Sequence, residues 1–230
     1  MDIKKGVIFL LMILTANSVA AKKGEILSIK QGDPMILLQE NKTAIFDIDY
    51  SKLIITDGKN HDNDLDFRTW MIAQDEDSEK WLKDWEEKDS AECQKSFRDH
   101  FNDEIKKGIK LTKLGKHYKV ILRPTMMRLK TVSAGKKIAG FLLGGARALM
   151  DSTYGSGELE VRDINTDEVL LLITFDGLPG EEAYTQIRQI RGLYENLCEV
   201  INEYLEDYKE NLEKEQKRQK KLEKKNKKKD

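Results

Sequence analysis

The chain runs to 230 residues, with 40 Lys and Arg against 41 Asp and Glu, two cysteines and three histidines. The length suits one substantial domain with appendages, and two cysteines with His61, His100 and His117 are too few for a metal site built on thiolates. The formal charge of -1 hides an asymmetry: residues 209–230 hold 11 Lys and Arg and 5 Asp and Glu, a net of +6, whereas residues 22–208 hold 27 and 35, a net of -8.

The N-terminus comes first. Met1 to Lys5 is a short basic start, 7-VIFLLMILTANSV-19 is a compact apolar run, and Val19-Ala20-Ala21 is a small-residue exit. This is the layout of a secretory signal peptide, cleaved between Ala21 and Lys22. The apolar run is short for a bilayer span. No cysteine stands at the cleavage point, so lipid attachment there is not expected. The chain therefore divides into a signal peptide (1–21), a single domain (22–208) and a Lys/Glu-rich charged tail (209–230), partly helical or disordered.

Residues 25–55 predict strands. Glu25 to Ile29 is short and β-rich, Asp33-Pro34 signals a turn, and 43-TAIFDIDYSKLII-55 alternates Ala44, Phe46, Ile48 and Tyr50 against Ile45, Asp47 and Asp49. Residues 57–69 predict an acidic loop. Its Asp62, Asp64 and Asp66 do not make a calcium loop, because Phe67 stands at the sixth position and Ala73 at the twelfth. Residues 77–107 predict helix, with Trp81 and Trp85 on one face and Cys93, Phe97, Phe101 and Ile105 following at steps of four. Lys88-Asp89-Ser90 is a candidate break. The aromatic stripe predicts packing on a sheet, with Trp81, Trp85 and Phe97 as the alternative wall of a groove for an apolar ligand or partner.

Residues 118–132 predict a strand in which Pro124 marks an edge or a bulge. The stretch 133-SAGKKIAGFLLGGARALM-150 is no phosphate loop, since Lys130 stands where the first glycine is needed and Lys137 where Ser or Thr is needed. Its apolar residues, Phe141 and Leu142 among them, fit a packed connection between strands, or a segment that docks on a membrane or partner. Residues 157–175 predict a β-hairpin turning at Asn165-Thr166-Asp167. From Glu181 the chain predicts helix to its end, with a stripe from Tyr184 to Leu205 and, beyond Tyr208, only Leu212 and Leu222. Pairs such as Glu210–Lys214 and Glu213–Lys217 support helix in the tail.

The order β, β, α, β, Gly-rich segment, β, β, α predicts an α+β fold. An antiparallel or mixed sheet of four to five strands packs against two helices, with a long charged C-terminal helical extension. It is not a run of βαβ units. Export makes a disulfide between Cys93 and Cys198 possible, although both lie in apolar helical surroundings where free cysteine is common.

No catalytic set stands out. No serine lies in a G-x-S-x-G elbow, and nothing ties His61 or His117 to a nucleophile. Asp47 and Asp49 point the same way along a strand, which fits acid–base work less well than the wet face of an amphipathic strand. Asp47, Asp49 and His117 are the first residues to mutate if the chain is a small hydrolase of envelope material. The tail interleaves its lysines with glutamates and has no aromatic residue for base stacking, so nucleic acid is not an expected partner. Neither a nucleotide nor any cofactor is expected. An envelope protein or an anionic membrane surface is.

Tyr118 to Val132, Gly140 to Gly157 and Asp163-Ile164-Asn165-Thr166-Asp167-Glu168 together resemble a group of small exported bacterial envelope proteins and lipoproteins with an α+β domain. In that group the turn reads Asp-x-x-Thr-Gly-Glu; here Asp167 replaces the glycine. The resemblance covers about a quarter of the chain. It implies a periplasmic or cell-surface bacterial protein and no catalytic residues. The sequence reading is thus an exported, non-enzymatic protein of binding or assembly, with a small hydrolase or an apolar-ligand carrier as alternatives.

Overall fold

The computed structural model describes residues 26–56, 64–73, 78–129, 153–180, 183 and 185–226. In chain order the strands are β1 (Leu27–Gly32), β2 (Thr43–Ile48), β3 (Ile54–Ile55), β4 (Leu65–Asp66), β5 (Lys110–Thr112), β6 (Tyr118–Arg128), β7 (Tyr154–Asp163) and β8 (Val169–Pro179). The helices are α1 (Phe67–Ala73), α2 (Ser78–Asp84), α3 (Ser90–Glu104) and α4 (Gln186–Asn226), with a 3-10 turn at Pro34–Leu38 and a π-turn at Trp85–Asp89.

All eight strands join one sheet with the main order β1-β8-β7-β6-β2-β5. Strands β6, β7, β8 and β1 are antiparallel neighbours, whereas β2, β3 and β5 enter parallel, so the sheet is mixed. The fold class is α+β with a mixed sheet and a long C-terminal helix, as the pattern predicts. The counts differ: eight strands rather than four or five, and four α-helices among the described residues rather than two.

Local chemistry explains the extra elements. The stretch 43–55 is two strands, not one. Asp49 Oδ1 accepts from Ser51 N at 3.0 Å and Leu53 N donates to Tyr50 O at 3.1 Å, a turn that separates β2 from β3. The predicted loop at 57–69 already holds β4 and the start of α1, which Asp66 caps through Thr69 N at 3.0 Å. Strands of two or three residues, such as β3, β4 and β5, are too short to show alternation.

Pro124 lies in the central strand β6, at a bulge rather than an edge. The bulge falls where β6 changes partner, from β2 at Leu122 to β3 at Met126, so the missing N–H costs no continuous ladder. Opposite it, Gly157 packs so closely that an added Cβ would meet Arg123 O at 2.5 Å and the Phe175 ring at 2.7 Å. At the tip of the β7–β8 hairpin, Asp167 occupies the left-handed region at φ 57°. Asp163 Oδ1 accepts from Asn165 N and Thr166 N, which holds that turn without a glycine.

One face of the sheet is packed. Ala44, Phe46, Ile48, Val120, Leu122, Leu159, Val161, Leu171 and Ile173 meet Cys93, Phe97 and Phe101 of α3 and Ile190, Tyr194, Leu197 and Ile201 of α4. Phe97, fully buried, stacks on Phe46 with ring centroids 4.4 Å apart. Phe97→Ala should cost about 3–5 kcal/mol of stability in chemical denaturation. Gly157→Ala should cost at least about 1 kcal/mol through overpacking at the bulge.

Candidate functional site

Three features of the described surface and core bear on function: an aromatic cavity, an ion-pair ladder and the overhang of α4.

The cavity, about 300 Å³, lies between the β3–β4–α1 annex and the π-turn. Tyr50, Leu53, Phe67, Met71, Leu82 and Trp85 form its apolar wall, and Ser51, Asp66, Arg68 and Glu86 its polar lining. Trp85 meets Tyr50 and Phe67 edge-on at 5.0 and 4.8 Å. The π-turn places it there. Ser90 N bonds back five residues to Trp85 O, so Asp89 falls in a wide turn instead of on the line joining Trp85 to Cys93. This is the break expected near Lys88-Asp89-Ser90.

The predicted groove residues separate. Trp85 lines the cavity. Trp81 is half-buried against Trp70, 5.9 Å away, and does not line it. Phe97 belongs to the core beneath. Phe141 and Leu142 lie outside the described residues. Tyr50, Phe67 and Met71, which sequence reasoning did not single out, complete the wall. Their only signal is an apolar residue on either side of a polar loop.

The three residues proposed for acid–base chemistry are committed to different partners. Asp47 Oδ1 accepts from Gln94 Nε2 at 2.9 Å, Asp49 pairs with Arg123 at 3.3 Å, and His117 Nδ1 accepts from Thr43 N at 3.2 Å. No group of three or more His, Cys, Asp or Glu residues is placed to hold a metal ion among the described residues.

Asp49 begins a ladder on the sheet face opposite the helices. Arg123 contacts Asp49 and, at 2.6 Å, Glu160; Arg162 contacts Glu160 at 2.7 Å and Asp167 at 3.0 Å. Burial pushes the Glu160 carboxyl up, but hydrogen bonds from Arg162 and Arg123 outweigh it and hold the group below its ordinary value. Hydrogen bonds from Ser51 hold Asp49 down likewise.

In the core, Cys93 and Cys198 are buried free thiols, so the bridge considered from sequence is not formed. Burial pushes the Cys93 thiol up to about 12 and raises Cys198 well above its usual value. Beside Cys93, Tyr194 and Tyr50 share a hydroxyl hydrogen bond of 3.1 Å.

The third feature is α4. Leu205 is its last buried residue, yet the helix continues to Asn226. At 1.5 Å per residue the overhang is about 30 Å long. Lys214 pairs with Glu210 at 2.6 Å and Lys217 with Glu213 at 3.9 Å, the spacing expected to support helix there.

Two outcomes follow. Glu160 contributes stability that is present above the unfolded glutamate pKa and lost as pH falls through its depressed folded value. Glu160→Gln should therefore cost about 2 kcal/mol at neutral pH and less in acid, measured by denaturation across pH. Alkylation under non-reducing conditions should label both cysteines in denatured protein and neither at an appreciable rate in native protein.

Comparison with protein-family models finds no match, and comparison with curated proteins finds none. Among solved structures, the chain is similar to the PelC dodecamer from Paraburkholderia phytofirmans in two crystal forms. The identities are 8% and 10%, with TM-scores of 0.36 and 0.37. The match covers 76% of this chain and 95% or 96% of the other. Nothing about the function of this chain follows from so loose a superposition.

Proposed function

We propose that this chain is an exported protein of the bacterial envelope that works by binding rather than catalysis, with the overhang of α4 as its binding element. The observation that carries the reading is the helix that outlasts its core. An isolated helical segment of this length is marginal in water. It buries no residue past Leu205, so it adds little to the domain's own stability. Its purpose lies outside the domain, where a straight charged rod can lie against another surface. The signal-peptide pattern of residues 1–21 supports export, and the separate commitments of Asp47, Asp49 and His117 favour binding over hydrolysis.

A second reading has its own observation. The cavity beside Trp85 is the size of a small ligand site and is walled by aromatic and aliphatic side chains, which suits the carriage of an apolar molecule.

Crosslinking in intact cells, with and without residues 209–230, tests the first reading. The full chain should give crosslinked species that the truncated chain lacks, while the truncation changes stability by less than about 0.5 kcal/mol. An unchanged pattern would sink it. Native mass spectrometry of protein purified from its source tests the second. An apolar adduct that Trp85→Leu abolishes would support carriage, and an adduct-free native chain would count against it.

A further inference from the structure

The overhang of α4 has two unlike sides. At about 100° per residue, Lys209, Lys214, Lys217, Arg218, Lys220 and Lys221 all fall within one half of the helix circumference. Glu210 and Glu213 share that half, leaving it a net +4. The other half carries Asn211, Leu212, Glu215, Gln216, Gln219 and Leu222 and no basic residue. It continues the line of Leu197, Ile201 and Leu205, which face the core. The basic half therefore points away from the seam by which α4 packs on its own domain.

The complementary charge sits at the opposite pole. Residues 62–92 hold 12 Asp and Glu against 4 Lys and Arg, a net of -8, which is the whole net charge of residues 22–208. At the elbow between α2 and α3, Asp84, Glu86, Glu87 and Glu92 are exposed. The crowding is felt at half-buried Asp89, whose carboxyl is raised by burial and by Glu92 and Asp84, against the pull of Lys88.

The two poles of one molecule cannot meet. Ser96 bonds Glu195 at 2.9 Å and His100 lies 3.7 Å from Glu199, so α3 and α4 run parallel. The acidic elbow stands at the N-terminal end of this pair and the basic overhang leaves from the other end. Roughly 50 Å of helix separates Ser90 from the tip of α4, and the continuous helix does not turn back. A charged surface that its own chain cannot reach is open to a second copy.

Resting on the reading of the overhang as a binding element, we propose that the basic half of α4 in one copy docks on the acidic α2–α3 elbow of another. The contact is heterologous, so it builds head-to-tail chains or a ring. Being electrostatic and exposed, it weakens steeply with salt. Attraction to an anionic lipid surface needs only the basic half. The second copy accounts for both poles and for their separation.

The test is sedimentation or mass photometry of the purified protein at about 20 mM and about 500 mM salt, which brackets strong and weak screening. Association at low salt should weaken at least tenfold at high salt. Two exposed charge reversals then separate the faces. One is Lys217→Glu, Arg218→Glu, Lys220→Glu and Lys221→Glu; the other is Asp84→Lys, Glu86→Lys and Glu87→Lys. Each alone should be monomeric with an unchanged circular dichroism spectrum, and an equimolar mixture should associate again. A mixture that stays monomeric overturns the proposal. A wild-type chain that is monomeric at both salts, yet binds phosphatidylglycerol vesicles through residues 209–230, also overturns it and leaves the overhang as a binding element. A monomer with no binding through those residues to vesicles or crosslinked partners removes both readings.

Discussion

The contact of Phe97 with Phe46 sets the position of much else in the molecule. The two rings stack at 4.4 Å between α3 and β2, and Phe97 also meets Tyr194 of α4 edge-on at 6.2 Å. One side chain thus ties the sheet to both long helices. Because α3 is held there, its N-terminal extension through the π-turn brings Trp85 over Tyr50 and Phe67 and closes the cavity. Because α4 is held parallel to α3, its excess length leaves the domain at the end away from the elbow. The cavity and the overhang are consequences of the same packing, expressed at opposite ends of the helix pair.

The two faces of the sheet are stabilised differently. The helix face is apolar and close-packed. The other carries Ile121, which is buried, beside a ladder that alternates Asp49, Arg123, Glu160, Arg162 and Asp167. Exposed ion pairs contribute little singly. This ladder is distinct because Glu160 is largely buried and receives two arginines, so removing one member strands the others. Its members are occupied with each other, which makes this face structural rather than catalytic.

The helix α4 changes character along its length without changing conformation. Up to Leu205 it is held by burial, and past that point by side-chain pairs such as Glu210–Lys214. The first half belongs to the domain and the second is free for a partner. Charge follows the same division, with the acidic excess in residues 62–92 and the basic excess beyond residue 208.

The sequence by itself determined the elements whose period is long enough to repeat. The step-of-four stripe Cys93, Phe97, Phe101 marks α3, the stripe to Leu205 marks the packed part of α4, and the alternation of β6 and of the β7–β8 hairpin marks the centre of the sheet. It also determined the charge division, which needs no fold to read. The short strands β3, β4 and β5 exist only because a longer strand offers them hydrogen bonds, and no local pattern announces them. Tertiary structure alone separated Trp85 from Phe97, since one stripe on a helix can face both a core and a cavity once a π-turn shifts its register. It also decided that Asp47 and Asp49, neighbours in one alternation, take different partners, because a turn begins at the second and the sheet edge exposes the first.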